Sequence, residues 1–260
     1  MSQPQIVLFP GAWHLPTCFS LIIPKLEAAG YTVLTTQLPS VTDKDPPKDL
    51  SADIATARAI VDKAIGSGND VIVVCHSWSG IVVGSALVGY SKKEREEKGQ
   101  KGGVVSCGYM CAFMAPEGVS LAESIQGPPP TWWTVEASEL FTLTAGEHFA
   151  RLTDSAGATF YNDLPDAHRT QWFDKVSRTH SVHSFVAKAT GASWKQIPTH
   201  YLICENDLAI PVAGQEAMTA MVKNMGGELW TERLKSSHSP FLGHVDETVA
   251  WIRRVAGEDA

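Results

Sequence analysis

Four consecutive apolar residues, Val71-Ile72-Val73-Val74, constrain this chain more than any other feature. A strand with no polar alternation must be buried on both faces, which is the position of a central strand in a parallel sheet covered by helices. The rest of the chain agrees. Ile6–Phe9 is a short apolar run closed by Pro10-Gly11. Tyr31–Thr36, Gly103–Met114, Thr199–Cys204 and Glu228–Leu234 read as further strands. Between them lie stretches with helical spacing: 16–29 (Phe19, Ile22, Ile23, Leu26, with Gly30 as C-cap), 51–65 (Ile54, Ala57, Val61), 80–90, 212–224 and 245–255. Ser51 is the expected N-cap of the second of these. Strands alternating with helices predict an α/β fold, a mostly parallel doubly wound sheet with helices on both faces.

A length of 260 residues fits one large α/β domain, and 44% hydrophobic with 19% charged residues excludes wholesale disorder. The net charge of −7 offers no basic face for nucleic acid. Lys92–Lys98 mixes both signs and reads as a solvated helix end. No apolar run approaches a membrane span, and the residues before Ile6 carry no leader pattern. The five cysteines, Cys18, Cys75, Cys107, Cys111 and Cys204, form no CxxC pair and are expected to be buried reduced thiols. The expectation from these features is a cytoplasmic chain without membrane or nucleic-acid partners.

The alternation breaks at residues 116–196, which hold Gly127-Pro128-Pro129-Pro130 and many aromatics: Trp132, Trp133, Phe141, Phe149, Phe160, Tyr161, Trp172 and Phe173. The expected organisation is a core of residues 1–115 and 197–260 with a helical cap over 116–196. The aromatic cap is compatible with a homodimer.

Chemistry concentrates where strands end. In Cys75-His76-Ser77-Trp78-Ser79-Gly80 a buried strand runs into Ser77 and a helix follows at once, the setting of a nucleophile elbow that lifts a serine oxygen above the sheet edge. Small residues stand two before and two after the serine, Cys75 and Ser79. The alternative is a serine-rich helix cap. A base and an orienting acid follow in the order this architecture uses. The acid is Asp207, past the strand Thr199–Cys204, with Glu205 as its competitor. The base is His238, between the last strand and last helix, with His244 as its competitor. All lie past carboxyl ends of strands, where open α/β sheets bind ligands. His76 reads as structural, and His180-x-x-His183 lacks a third metal ligand. The Trp78 N–H and the Ala12 N–H, the latter in the loop Phe9–His14, are the expected oxyanion donors. Trp13, Phe113, Trp132 and Trp133 are candidates to face the substrate. Gly66-Ser67-Gly68 precedes a strand and is a plain turn, not a phosphate loop.

These segments resemble the α/β-hydrolase superfamily along nearly the whole chain. Within it they are similar to the small-cap group of plant methylesterases, hydroxynitrile lyases and microbial esterases. The similarity is carried by Leu8–His14, Leu26–Val33, Ile203–Pro211 and Ser237–Leu242. The resemblance implies a Ser77–Asp207–His238 triad and no metal or organic cofactor. Pro10 stands where the group has histidine, and Cys75 and Ser79 stand at its two elbow glycines. The threonine and lysine of its hydroxynitrile lyases correspond to Gly11 and Ser239 here, which argues for ester chemistry over cyanohydrin cleavage. Phe160–Pro165 resembles a recurring cap feature of microbial members. The expected function is hydrolysis of an ester or lactone of a small apolar molecule. A lyase or cyclase on the same pocket, or a receptor-like binding protein, are the alternatives.

Overall fold

The computed structural model describes residues 3–125, 130–135 and 148–259. Six strands form one parallel sheet: β1 (Gln5–Phe9), β2 (Val33–Thr35), β3 (Asp70–His76), β4 (Gly103–Met110), β8 (Thr199–Cys204) and β9 (Leu229–Leu234), in the order β2-β1-β3-β4-β8-β9. Strand β3 is central and buried from Val71 to His76, as an unalternated run requires. Edge strand β9 is buried at Leu229 and mostly exposed beyond it. The helices Ser51–Ile65 and Ser79–Ala86 pack together, as do Ile23–Ala28 and Val245–Val255, giving two helical layers. The last helix buries Thr248, Val249, Trp251, Ile252 and Val255, a stripe at helical spacing.

Several boundaries shift for identifiable reasons. Residues 16–29 form a 3-10 turn, Pro16–Phe19, and a separate helix, Ile23–Ala28, because Pro24 cannot donate back to the preceding turn. Ser51 is the first helical residue and not the cap; the Asp49 carboxylate accepts its N–H at 2.8 Å. Strand β4 stops at Met110, before Cys111, whose φ of 35° turns the chain. Helix Lys92–Glu97 buries no side chain. All five cysteines are free and buried. Among the described residues no helix is long and apolar enough to cross a membrane.

The expectation of a purely helical cap is corrected. Besides short helices such as Ala156–Phe160 and Asp166–Phe173, the segment between β4 and β8 contains a three-stranded antiparallel sheet. Its strands are β5 (Trp133–Val135), β6 (Phe149–Leu152) and β7 (Thr179–Ser181), in the order β5-β6-β7. Strands of three or four residues carry too few alternations to register as a period. Phe141 and Gly127–Pro129 lie outside the described residues.

One buried carboxylate ties cap to core. Asp53 accepts from Ser40 N (2.9 Å) and Ser40 Oγ (2.6 Å), while the Ser40 carbonyl accepts from Ser181 N on β7 (2.8 Å). Burial pushes the Asp53 carboxyl up to about 6, against the lowering effect of both Ser40 bonds. The folded state then holds this proton more tightly than the unfolded chain, so the group costs stability as pH rises from about 4 to about 6. We expect the unfolding free energy of wild type, relative to Asp53→Asn, to fall by about 2–3 kcal/mol between pH 4 and 7. Chemical denaturation of both proteins across that range measures it, and a pH-independent difference would contradict it.

Candidate active site

Ser77 sits at the carboxyl end of β3 with φ of 57°, a left-handed conformation that a non-glycine residue holds only when its surroundings enforce it. Here they do. Ser77 N donates to Met110 O (3.3 Å), and Phe113 N donates to Ser77 O (3.0 Å). Ser79, where the elbow pattern has glycine, supplies a tether that glycine could not. Its Oγ accepts from His76 N (3.1 Å) and shares its proton between the carbonyls of His76 (2.8 Å) and Phe9 (3.1 Å). Close approach is instead secured by two other glycines. A Cβ on Gly80 would lie 2.2 Å from the Phe113 carbonyl oxygen, and one on Gly11 would lie 2.8 Å from Ser77 Cβ.

The acid and base loops converge beside the elbow. His238 Nδ1 is 2.7 Å from Asp207 Oδ2, with both side chains buried. The carboxylate is the acceptor, which puts the proton on Nδ1 and leaves Nε2 as the basic nitrogen. Asp207 Oδ1 accepts from the backbone N–H groups of Ala209 (2.7 Å) and Ile210 (2.9 Å). Gln215, buried on the helix Val212–Asn224, donates to Asp207 Oδ2 (3.3 Å) and to the carbonyls of Cys204 and Ile210, and accepts from Cys204 N. Glu205 is committed elsewhere, to Arg233 at 2.7 Å. His244 contacts Asp163 and Glu247. Geometry therefore favours Asp207 and His238 over both competitors.

His76 joins the base loop to the elbow. Its Nε2 donates to the His238 carbonyl (2.8 Å), which also accepts from Cys111 Sγ (3.3 Å). Burial, reinforced by neighbouring His238 and His14, holds His76 neutral, and burial raises the Cys111 thiol well above its usual range. His76, Cys111 and His238 bring potential metal-ligand atoms within 4.8 Å of one another. His76 Nε2 and Cys111 Sγ already donate to one carbonyl, so the cluster reads as a tether. No hydrogen bond joins Ser77 Oγ to His238 Nε2. Such contacts are commonly long without substrate and tighten in the Michaelis complex.

The loop after β1, expected to carry an oxyanion donor, is a tight turn in which His14 N donates to Gly11 O (3.1 Å), with Trp13 at φ 62°. Neither the Ala12 N–H nor the Trp78 N–H has an acceptor among the described residues. His14 Nδ1 donates to Ala12 O (3.0 Å). Its Nε2 therefore accepts from Tyr161 Oη (2.9 Å), and burial lowers His14 to about 4, so the ring is neutral.

All the sequence-selected pocket residues line one apolar cavity: Ala12, Trp13, Ser77, Trp78, Phe113, Trp132 and Trp133, joined by Leu121, Ile125, Phe185, Ala209 and Ile210. Trp13 is chiefly an anchor. It is 4% exposed, packs on Trp132, Trp133, Phe160, His180 and Phe185, and its Nε1 donates to Ala150 O on β6 (3.0 Å). His180 bonds Ser184 Oγ and His183 pairs with His148, so the HxxH spacing converges on no common point. Sequence reasoning missed Gln215, which belongs to no motif.

A family model for the alpha/beta hydrolase family matches residues 6–251. An α/β hydrolase from Aspergillus novofumigatus is 32% identical over 99% of this chain and 98% of its own. A pyrethroid hydrolase structure from Sphingobium faniae superposes with a TM-score of 0.74 at 19% identity, covering 99% of each chain. A methylesterase from Arabidopsis gives 0.73 at 17% identity over 97% of this chain and 99% of its own. The chain belongs to the α/β hydrolase family, as its motifs implied, and is an enzyme of that family.

Proposed function

We propose that this hydrolase cleaves a carboxylic ester or lactone of a small, largely apolar molecule through a serine–histidine–aspartate mechanism. The observation that carries this reading is the buried Asp207–His238 bond, 2.7 Å long, beside a serine held at φ 57° in the wall of an apolar pocket. Ser77 Oγ attacks the acyl carbon as His238 Nε2 takes its proton, and the Ala12 and Trp78 amides receive the oxyanion. The intermediate collapses as His238 passes that proton to the leaving alkoxide, releasing an alcohol and an acyl-Ser77. Water, deprotonated by His238, then releases the acid and regenerates Ser77. The methylesterase among the structural neighbours lends support. The five free thiols suit a reducing, cytoplasmic setting.

The test is a panel of p-nitrophenyl esters from acetate to octanoate. We expect turnover on the shorter members, limited by the aromatic walls. No release of p-nitrophenol above background anywhere on the panel would count against the ester reading and favour a non-hydrolytic or binding role.

A further inference from the structure

Three successive cap residues, Tyr161, Asn162 and Asp163, each reach a different loop of the site, and each bond falls close to a functional atom. Tyr161 Oη donates to His14 Nε2 (2.9 Å), and His14 Nδ1 holds the Ala12 carbonyl within the oxyanion turn. Asn162 Nδ2 donates to the carbonyl of Asn206 (3.0 Å), the residue before Asp207. Asp163 Oδ2 accepts the backbone N–H of Ser237 (2.7 Å), the residue before His238. Phe160, just ahead of them, sets its ring 5.2 Å from that of His14 and 5.8 Å from that of His238.

We propose that Tyr161, Asn162 and Asp163 form a positioning clamp that holds the oxyanion, acid and histidine loops in mutual register for the reaction. The proposal rests on the ester-cleaving reading above. The three loops come from chain segments distant in sequence, and the sheet fixes only where each begins. Their tips carry the Ala12 amide, the Asp207 carboxylate and the His238 ring. A single strip bonded to all three removes the relative motion that would separate the base from its acid and from the Ala12 amide. Misplacement by about 1 Å costs about a hundredfold in rate. A residue that served folding alone would instead change stability and leave the reactivity of the folded protein unaltered.

The experiment measures the second-order rate at which a fluorophosphonate probe phosphonylates Ser77, with loss of fluoride, together with kcat, KM and Tm on p-nitrophenyl butyrate. Wild type, Ser77→Ala, Asp163→Ala, Asp163→Asn and Tyr161→Phe are compared. In Asp163→Ala we expect labelling and kcat to fall by about 10–100-fold with KM within about twofold. Asp163→Asn keeps an oxygen that accepts from Ser237 and should recover labelling to within about threefold of wild type. Tyr161→Phe should slow labelling by about 5–20-fold, and it carries the test if Asp163→Ala does not fold. A folded Asp163→Ala or Tyr161→Phe that labels at the wild-type rate, whatever its Tm, overturns the clamp. Wild type that does not label, or Ser77→Ala that labels equally, overturns the ester reading itself, and the clamp with it.

Discussion

Ser77→Ala should lose at least about 10⁴-fold in kcat on p-nitrophenyl butyrate while binding substrate and folding as wild type does. The change removes one oxygen from a 9% exposed side chain that bonds to no other described group. Alanine meets the same backbone strain at φ 57° as serine, so the elbow has no new reason to rearrange. Burst kinetics and intact-protein mass should show an acyl adduct on wild type and none on the variant. Retention of more than about 1% of kcat would show that another group is the nucleophile.

Asp207→Asn should cost about 10³–10⁴-fold in kcat, and the hydrogen bonds say why. Oδ1 accepts two backbone N–H groups, from Ala209 and Ile210, so the asparagine oxygen must occupy that position. Its NH₂ then takes the place of Oδ2 and faces His238 Nδ1 and the Gln215 amide nitrogen, both donors to the native carboxylate. His238 can answer only by moving its proton to Nε2, which leaves no base facing Ser77. The Gln215 NH₂ meets a second NH₂ and loses its bond. Glu205→Gln, by contrast, disturbs an exposed pair with Arg233 and should leave kcat within about twofold. Comparable losses in both variants would reassign the acid.

What the sequence disclosed and what it hid follow from the range of the interactions. The run Val71–Val74 was legible because burial on both faces of β3 leaves a local mark, an apolar stretch without alternation. The candidate site was legible at Ser77, Asp207 and His238 because each follows a strand end in a fixed order, and the structure joins the last two by a 2.7 Å bond. The helix 245–255 was legible because its buried residues recur every three or four positions. Gln215 left no such mark, since it is one polar residue on a helix whose partners lie 5, 8 and 11 positions earlier. The role of Ser79 was hidden for a different reason. In the sequence it is only a small residue at an elbow glycine position, whereas its hydroxyl ties Phe9 and His76 to the turn. Strands β5, β6 and β7 escaped because pairing between segments far apart stabilises them, and no single segment is long enough to announce itself.

The way Trp13 is held has a consequence for anyone who would re-engineer this enzyme. Its indole nitrogen donates to Ala150 and its carbonyl accepts from Ser177 (2.8 Å), both in the cap, while its neighbour Ala12 supplies a candidate oxyanion amide. The insertion is therefore not an interchangeable module. A chimera that grafts in the cap of another hydrolase to import its selectivity would withdraw both bonds from a residue whose backbone is already in a disfavoured conformation. Transplants that keep β6 and the Ser177 turn native, and vary only the pocket-facing side chains of Trp132, Trp133 and Phe185, leave that support in place.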